Sequence, residues 1–280
     1  MTTTLRPEYP EAPFPGGGRS RRWQICVNGR PVGGLRTTAF PRGSQSWGEI
    51  SELGVTAGRR RGRATVGVLA AEEVLRSWGC SRVDVNIPAE ATAALGLAEA
   101  LGYTERMRNL AKHLTQPPEL PAELTVRPIG AEEYPEWLEA AQQAYLRDLL
   151  ASGLSEPQAR AKAEADHRQQ LPQGPGTRGV ALRALYGPRG TPLGSLWVNL
   201  HQDIRPSGER LAWVMTVEVE PAQRGHGYGR ALMLLAEREC LAAGVRELGL
   251  NVFSGNAVAI GLYDSLGYRV TNRILGKSLL

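Results

Sequence analysis

The sequence predicts an α/β protein: two tandem copies of a mixed central sheet flanked by helices, the N-terminal copy truncated and degenerate. Three observations carry this reading. Residues 214–238 run from a β-branched strand through a basic glycine turn into a helix. The pattern recurs earlier at a fixed offset of 165 residues, with Gly62 against Gly227 and Asn86 against Asn251. A chain of 280 residues, 42% hydrophobic and 22% charged, has the length and composition for two modest folded domains.

In chain order, residues 1–20 carry Pro7, Pro10, Pro13, Pro15 and the run 16–18 of glycine, which predicts a flexible tail without a packed element. Residues 23–27 and 31–37 form a hairpin around Asn28-Gly29, because that dipeptide adopts the primed turns that join antiparallel strands. A strand follows over 46–55. A second version of the basic turn comes next, with Arg59, Arg60, Arg61, Gly62, Arg63 and Ala64, and leads into a helix through Ala71, Val74 and Leu75 to Gly79. Register with the second half holds to the end of the unit: Glu72 matches Glu237, Leu101-Gly102-Tyr103 matches Leu266-Gly267-Tyr268, and Lys112 matches Lys277. One supersecondary unit therefore folds twice. The first copy, over 21–115, lacks an opening strand and helices before its hairpin, and Ala98 and Ala91 stand where the second copy has Tyr263 and Asn256.

Three prolines in 116–123 mark a semi-rigid linker. The second domain, 124–280, opens with a strand over 124–128. A helix over 132–150 follows, with Tyr134, Trp137, Leu138, Ala141, Tyr145 and Leu149 on one face. Ser155 caps a second helix that runs to Gln170. Strands over 180–186 and 192–201 pair as a hairpin, and Arg210 leads into the central strand.

The glycine turn is where the chemistry gathers. Gly225, Gly227 and Gly229 free successive N–H groups to point into one concavity at a helix N-terminus, and Arg224 and Arg230 add charge, so the turn suits a pyrophosphate. It is not a P-loop, since Gly229 is followed by Arg230-Ala231 rather than Lys and a hydroxyl residue. Its late place in the chain argues against a Rossmann fingerprint. Arg224-x-x-Gly227-x-Gly229 after Val217-x-Val219 resembles the acyl-CoA-binding motif of the GNAT superfamily of N-acetyltransferases. Asn256-x-x-Ala259-x-x-x-Tyr263-x-x-Leu266-Gly267-Tyr268 is similar to that family's second signature. The resemblance covers roughly residues 122–280.

It implies acetyl-CoA as acyl donor, held along the backbone of Val217 and Val219 and at Arg224, Gly225, His226, Gly227, Tyr228, Gly229 and Arg230. Asn256 is expected either to touch the pantetheine or phosphate portion or to cap its helix. Tyr263 matches the family's proton donor to the departing thiolate. Glu218 alternates with Val217 and Val219, so it faces the other side of the strand together with Thr216 and Val214, as a general base or as the partner of a helix arginine. Glu164, Asp166, His167, Trp197, Asn199 and His201 are candidate acceptor contacts on the roofing helix and hairpin, or a solvated face. The implied reaction is acetyl transfer to a primary amine, on a small molecule or peptide, by direct attack in a ternary complex. A non-catalytic acyl-CoA-binding or scaffold protein is the alternative.

Other classes are disfavoured. No apolar run reaches membrane-spanning length and the opening residues lack a signal peptide's apolar region, which predicts a cytoplasmic protein without membrane partners. Cys26, Cys80 and Cys240 are odd in number and widely spaced, so buried thiols are expected rather than a disulfide framework or a metal site. The net charge of +5 gathers at residues 19–22 and 59–63, and a solvated basic segment is the plainer reading than a nucleic-acid partner. A monomer or homodimer is expected.

Overall fold

The computed structural model describes residues 3–14, 17–42, 45–56, 62–151, 155–204 and 210–279, the side chains of 42, 45, 151 and 201–204 excepted. The arginine turn at 59–61 and the side chain of His201 lie outside the described set. The chain divides into two compact units.

In unit 1, the strands are β1 (Thr3–Pro7), β2 (Ala12–Phe14), β3 (Gly18–Val27), β4 (Arg30–Arg42), β5 (Gln45–Val55) and β6 (Cys80–Pro88), with helices α1 (Arg63–Ser77) and α2 (Thr92–Ala100). The hairpin closes as the sequence predicts: Val27 pairs with Arg30, and Asn28 and Gly29 both take positive φ, 48° and 78°. The expected tail, however, carries β1 and β2, each antiparallel to β3. Prolines are tolerated there because an edge strand leaves half its N–H groups without a ladder partner. Thus the first copy has an opening strand, and what it lacks is the pair of helices between that strand and the hairpin. The arginines of residues 19–22 sit on β3, where Arg19 and Arg21 face Glu11 and Arg22 faces Glu8 and Glu52. They are strand residues with acidic partners and not a free basic tail.

In unit 2, the strands are β8 (Thr125–Pro128), β9 (Val180–Tyr186), β10 (Pro192–Ile204), β11 (Arg210–Val219) and β12 (Glu247–Phe253), with α3 (Tyr134–Ala151), α4 (Glu156–Gln170), α5 (Tyr228–Ala242) and α6 (Ala257–Ser265). The order β12-β11-β10-β9-β8 is antiparallel except for β11 and β12, which run parallel. Leu196, Val198, Leu232, Met233, Leu248 and Leu250 form its main core against α5, and Trp197, Leu182, Ile129 and Leu171 form a smaller one on the other face. Ser155 caps α4 in a capping box with Gln158.

The linear domain boundaries at 115 and 124 do not match the compact units, because the last strand of each repeat goes elsewhere. Strand β7 (Thr104–His113) passes from unit 1 into unit 2, where residues 109–113 lie beside β12 and the Leu114 N–H donates to the Arg246 carbonyl at 2.8 Å. Strand β13 (Arg269–Ser278) passes the other way: within unit 1 it pairs antiparallel with β6, Leu275 opposite Val85, and it buries Leu275 and Leu279 in that core.

The repeat explains what each visiting strand brings. In unit 1 the Lys277 ammonium lies 2.8 and 3.0 Å from the oxygens of Glu72, which is 1% exposed and also accepts from the Tyr103 hydroxyl at 2.9 Å. In unit 2 the matching Lys112 lies 2.7 Å from Glu237, which is 3% exposed. Burial and the adjacent Glu72 carboxylate push the Tyr103 phenol up, so it remains a donor. Removing the lysine leaves a buried carboxylate without its counter-charge. Lys277→Met is accordingly expected to cost unit 1 about 3 kcal/mol, read as a lowered midpoint in thermal unfolding. A midpoint within experimental error of the wild type would show that Glu72 does not need this partner.

All three cysteines are buried and unbridged. Among the described residues no helix is long and apolar enough to cross a membrane. No cluster of three or more potential metal ligands occurs among them either.

Candidate acyl-CoA and acceptor site

The site in unit 2 begins with a strand pair that stops pairing. Strands β11 and β12 match only over residues 211–214 against 247–250, and residues 215–219 continue along β10 without a β12 partner. A backbone edge in the middle of the unit is thereby left open to an extended ligand. Along β10 the register steps from Trp197–Thr216 to Val198–Val214, so Met215 is an extra, bulged residue. A bulge reverses the alternation of faces beyond it. Ala212 and Val214, then Val217 and Val219, all pack into the core under α5. Glu218 is placed opposite Ser195, whose hydroxyl accepts from the Trp137 indole on α3 at 3.2 Å. Glu218 and Thr216 thus occupy the expected face, whereas Val214 does not, because simple alternation cannot anticipate the inserted residue.

Past Val219 the chain turns into α5. Gly225 and Gly227 take φ of 83° and 85°, and Gly227 is the left-handed residue before the helix. The N–H groups of residues 225–229 have no backbone acceptor among the described residues. At a helix N-terminus such a set forms an anion cradle. Gly229 serves packing instead: a Cβ there would lie 3.3 Å from Leu262 of α6. His226 stacks on Tyr228, with ring centroids 6.1 Å apart. The two arginines each make a hydrogen bond within the unit, Arg224 donating to the Val219 carbonyl at 3.3 Å and Arg230 donating to Ser265 on α6.

These differences separate the glycines experimentally. Gly227→Ala places a Cβ in the left-handed region, at a cost of about 1–2 kcal/mol, and, if the turn holds the CoA pyrophosphate that the motif implies, is expected to weaken CoA binding by about tenfold. Gly229→Ala instead presses on Leu262 beside Tyr263, so its larger effect should fall on kcat. Calorimetric titration with CoA beside steady-state kinetics checks both, and equal losses of CoA affinity in the two variants would refute the division.

Tyr263 lies on α6 with its ring 6.0 Å from Tyr268, edge to face, and packs against the main core. Burial raises its pKa above the ordinary phenol value, and its hydroxyl makes no hydrogen bond among the described residues. Asn256 is the N-cap of α6: its Oδ1 accepts from the Ala259 N–H at 3.1 Å. The cap is thus formed through the side-chain oxygen, and the amide nitrogen makes no hydrogen bond among the described residues.

The roofing helices also revise the acceptor candidates. His167 is 5% exposed, its Nδ1 lies 2.8 Å from the Ala163 carbonyl, and its ring packs 5.4 Å from that of Trp197. It is a buried core residue and part of no solvated face. Trp197 is 3% exposed and its indole N–H has no acceptor among the described residues. Asp166 accepts from Tyr145 at 2.8 Å and pairs with Lys162, Asn199 donates to Gln170, and Glu164 is exposed. The helix arginine expected as one possible partner of Glu218 is Arg147 of α3, which stands 3.9 Å from it; the sequence did not single out which arginine. Only the fold brings that helix over that strand.

An open strand edge, an N–H-lined turn and a buried phenol on the next helix lie together in one unit, an arrangement that suits an extended phosphorylated ligand. The family profile described as Acetyltransferase (GNAT) family matches residues 3–103 and 136–268, and the chain belongs to that family. Mycothiol acetyltransferase from Mycobacterium marinum (strain ATCC BAA-535 / M) is 32% identical over 228 residues, which is 75% of this chain and 67% of that protein. The same-named protein of Amycolatopsis mediterranei (strain U-32) is 39% identical over 82 residues, but that stretch is only 29% of this chain and 27% of the relative. Among solved structures, a tandem GNAT protein from the clavulanic acid biosynthesis pathway shares the fold with a TM-score of 0.54 at 20% identity, covering 96% of this chain and 85% of that one.

Proposed function

We propose that this protein is an acetyl-CoA-dependent N-acetyltransferase, acting from unit 2 on a primary amine by direct attack within a ternary complex. The observation that carries the reading is the concurrence, in one unit, of the unpaired β11 edge at 215–219, the free N–H groups at 225–229 and Tyr263. Acetyl-CoA, when bound, supplies the activated thioester carbonyl. The cradle suits its pyrophosphate and the β11 backbone suits its extended arm, as an added strand suits a sheet edge. A backbone N–H on that edge would be suited to stabilise negative charge growing on the carbonyl oxygen of the bound thioester.

The net chemistry joins the acceptor nitrogen to the acetyl carbon and breaks the carbon–sulfur bond. An ammonium acceptor sheds two protons: one ends on the thiol sulfur and one in solvent. Glu218 is suited to take the first, directly or through water, and Tyr263 to supply the proton at sulfur. Because burial holds the phenol protonated past its ordinary range, the alkaline limb of activity is expected above pH 10, where Tyr263 ionises and can no longer donate.

The test is release of CoA thiol from acetyl-CoA against a panel of amino acids, polyamines, amino sugars and peptide N-termini. Turnover with some amine supports the reading and identifies the acceptor class. Tight CoA binding without turnover across the panel would favour a non-catalytic acyl-CoA-binding protein.

A further inference from the structure

We infer that the acceptor is a zwitterion, an amine carrying a carboxylate on the neighbouring carbon as in an α-amino acid, with Arg147 as the residue that reads the carboxylate. The inference rests on the acetyltransferase reading and narrows its substrate class. Its basis is the state of one ion pair. Arg147 of α3 and Glu218 of β11 face each other at 3.9 Å, within ion-pair range but too far apart for a hydrogen bond. Arg183 and Glu239 in the same unit are by contrast a closed pair, joined by two bonds of 2.7 Å. Arg147 and Glu218 make no hydrogen bond to any other group among the described residues, so donors and acceptors on both remain open. Their side chains are 72% and 31% exposed, so both are reachable from solvent.

The charges also sit in a useful order. Glu218 lies on the open stretch of β11, one residue from the backbone that suits the thioester arm, while Arg147 stands on α3 and is the more exposed of the two. A simple cationic amine approaching Glu218 meets the Arg147 guanidinium within a few ångströms and is repelled by it. A molecule with its own anion beside the ammonium converts that repulsion into attraction, each charge meeting its opposite, and the guanidinium fork suits a planar carboxylate. Two opposite charges held apart thereby favour a ligand with the complementary pair and disfavour amines that lack the anion.

The experiment measures CoA-thiol release at saturating acetyl-CoA with a set of L-amino acids and the α-amide of each, in the wild type and in Arg147→Gln. For the amino acid accepted best, the free acid is expected to exceed its amide by about tenfold or more in kcat/KM, chiefly through KM. In Arg147→Gln that ratio should fall towards one. Amides accepted as well as acids, or a ratio that Arg147→Gln leaves unchanged, would overturn the assignment while acetyl transfer stands. Turnover confined to polyamines or amino sugars would likewise overturn it alone, and no turnover with any amine would remove both readings.

Discussion

Tyr263→Phe is expected to lower kcat by about 100-fold or more while CoA affinity stays within a few-fold of the wild type. The change removes one oxygen atom. The ring keeps its edge-to-face packing on Tyr268 and its place against the main core, so the fold has no reason to respond. On the proposed mechanism the change removes the donor to the leaving sulfur, which would then depart as a thiolate or take its proton from water. The first repeat makes the same point, because it places Ala98 at the equivalent position of α2, and that alanine is itself buried. A phenol is therefore not a requirement of the helix. A Phe variant with kcat near the wild type would assign Tyr263 to packing and require another proton source.

The second large effect concerns the last ten residues. A chain ending at Val270 is expected to lose the cooperative unfolding transition of unit 1, although those residues belong to the second repeat. Strand β13 pairs with β6, buries Leu275 and Leu279 at 1% and 4% exposure, and supplies the Lys277 partner of Glu72. Two lost core leucines cost about 4–10 kcal/mol, on the order of a whole domain's stability of about 5–15 kcal/mol. Differential scanning calorimetry of the truncated chain, with amide exchange on residues 20–60, would reveal this. Wild-type protection there would show that unit 1 stands without its visiting strand. The reciprocal arrangement of Lys112 with Glu237 means that either repeat, isolated at the linker, would lose a strand its unit uses.

Much of this was legible in the residues. The Asn28-Gly29 turn, the Ser155 cap and the glycine turn before α5 are local signals, each set by backbone freedom or a side chain within a few positions. The duplication was legible too, since a fixed offset needs no structure to be seen. Even the Glu72–Lys277 and Glu237–Lys112 pairs were present in outline, as matched residues of two repeats. Their partners were not, because a period says which residues are equivalent and not which copy they pair with.

Tertiary structure decided the rest, wherever the deciding interaction joins residues distant in sequence. The proline-rich opening became strand because β3 offered an edge to it, an energy that local propensity does not contain. The bulge at Met215 moved Val214 to the other face, since register is settled by the neighbouring strand. Asn256 became the cap of its helix, and His167 was buried beneath Trp197. The Arg147–Glu218 pair spans 71 positions and exists only because α3 lies over β11. The sequence by itself determined most of the elements, their duplication and the glycine turn, because these depend on short-range geometry. Which strand completes which sheet, and which charges meet beside β11, depend on long-range pairing, and only the folded chain decided them.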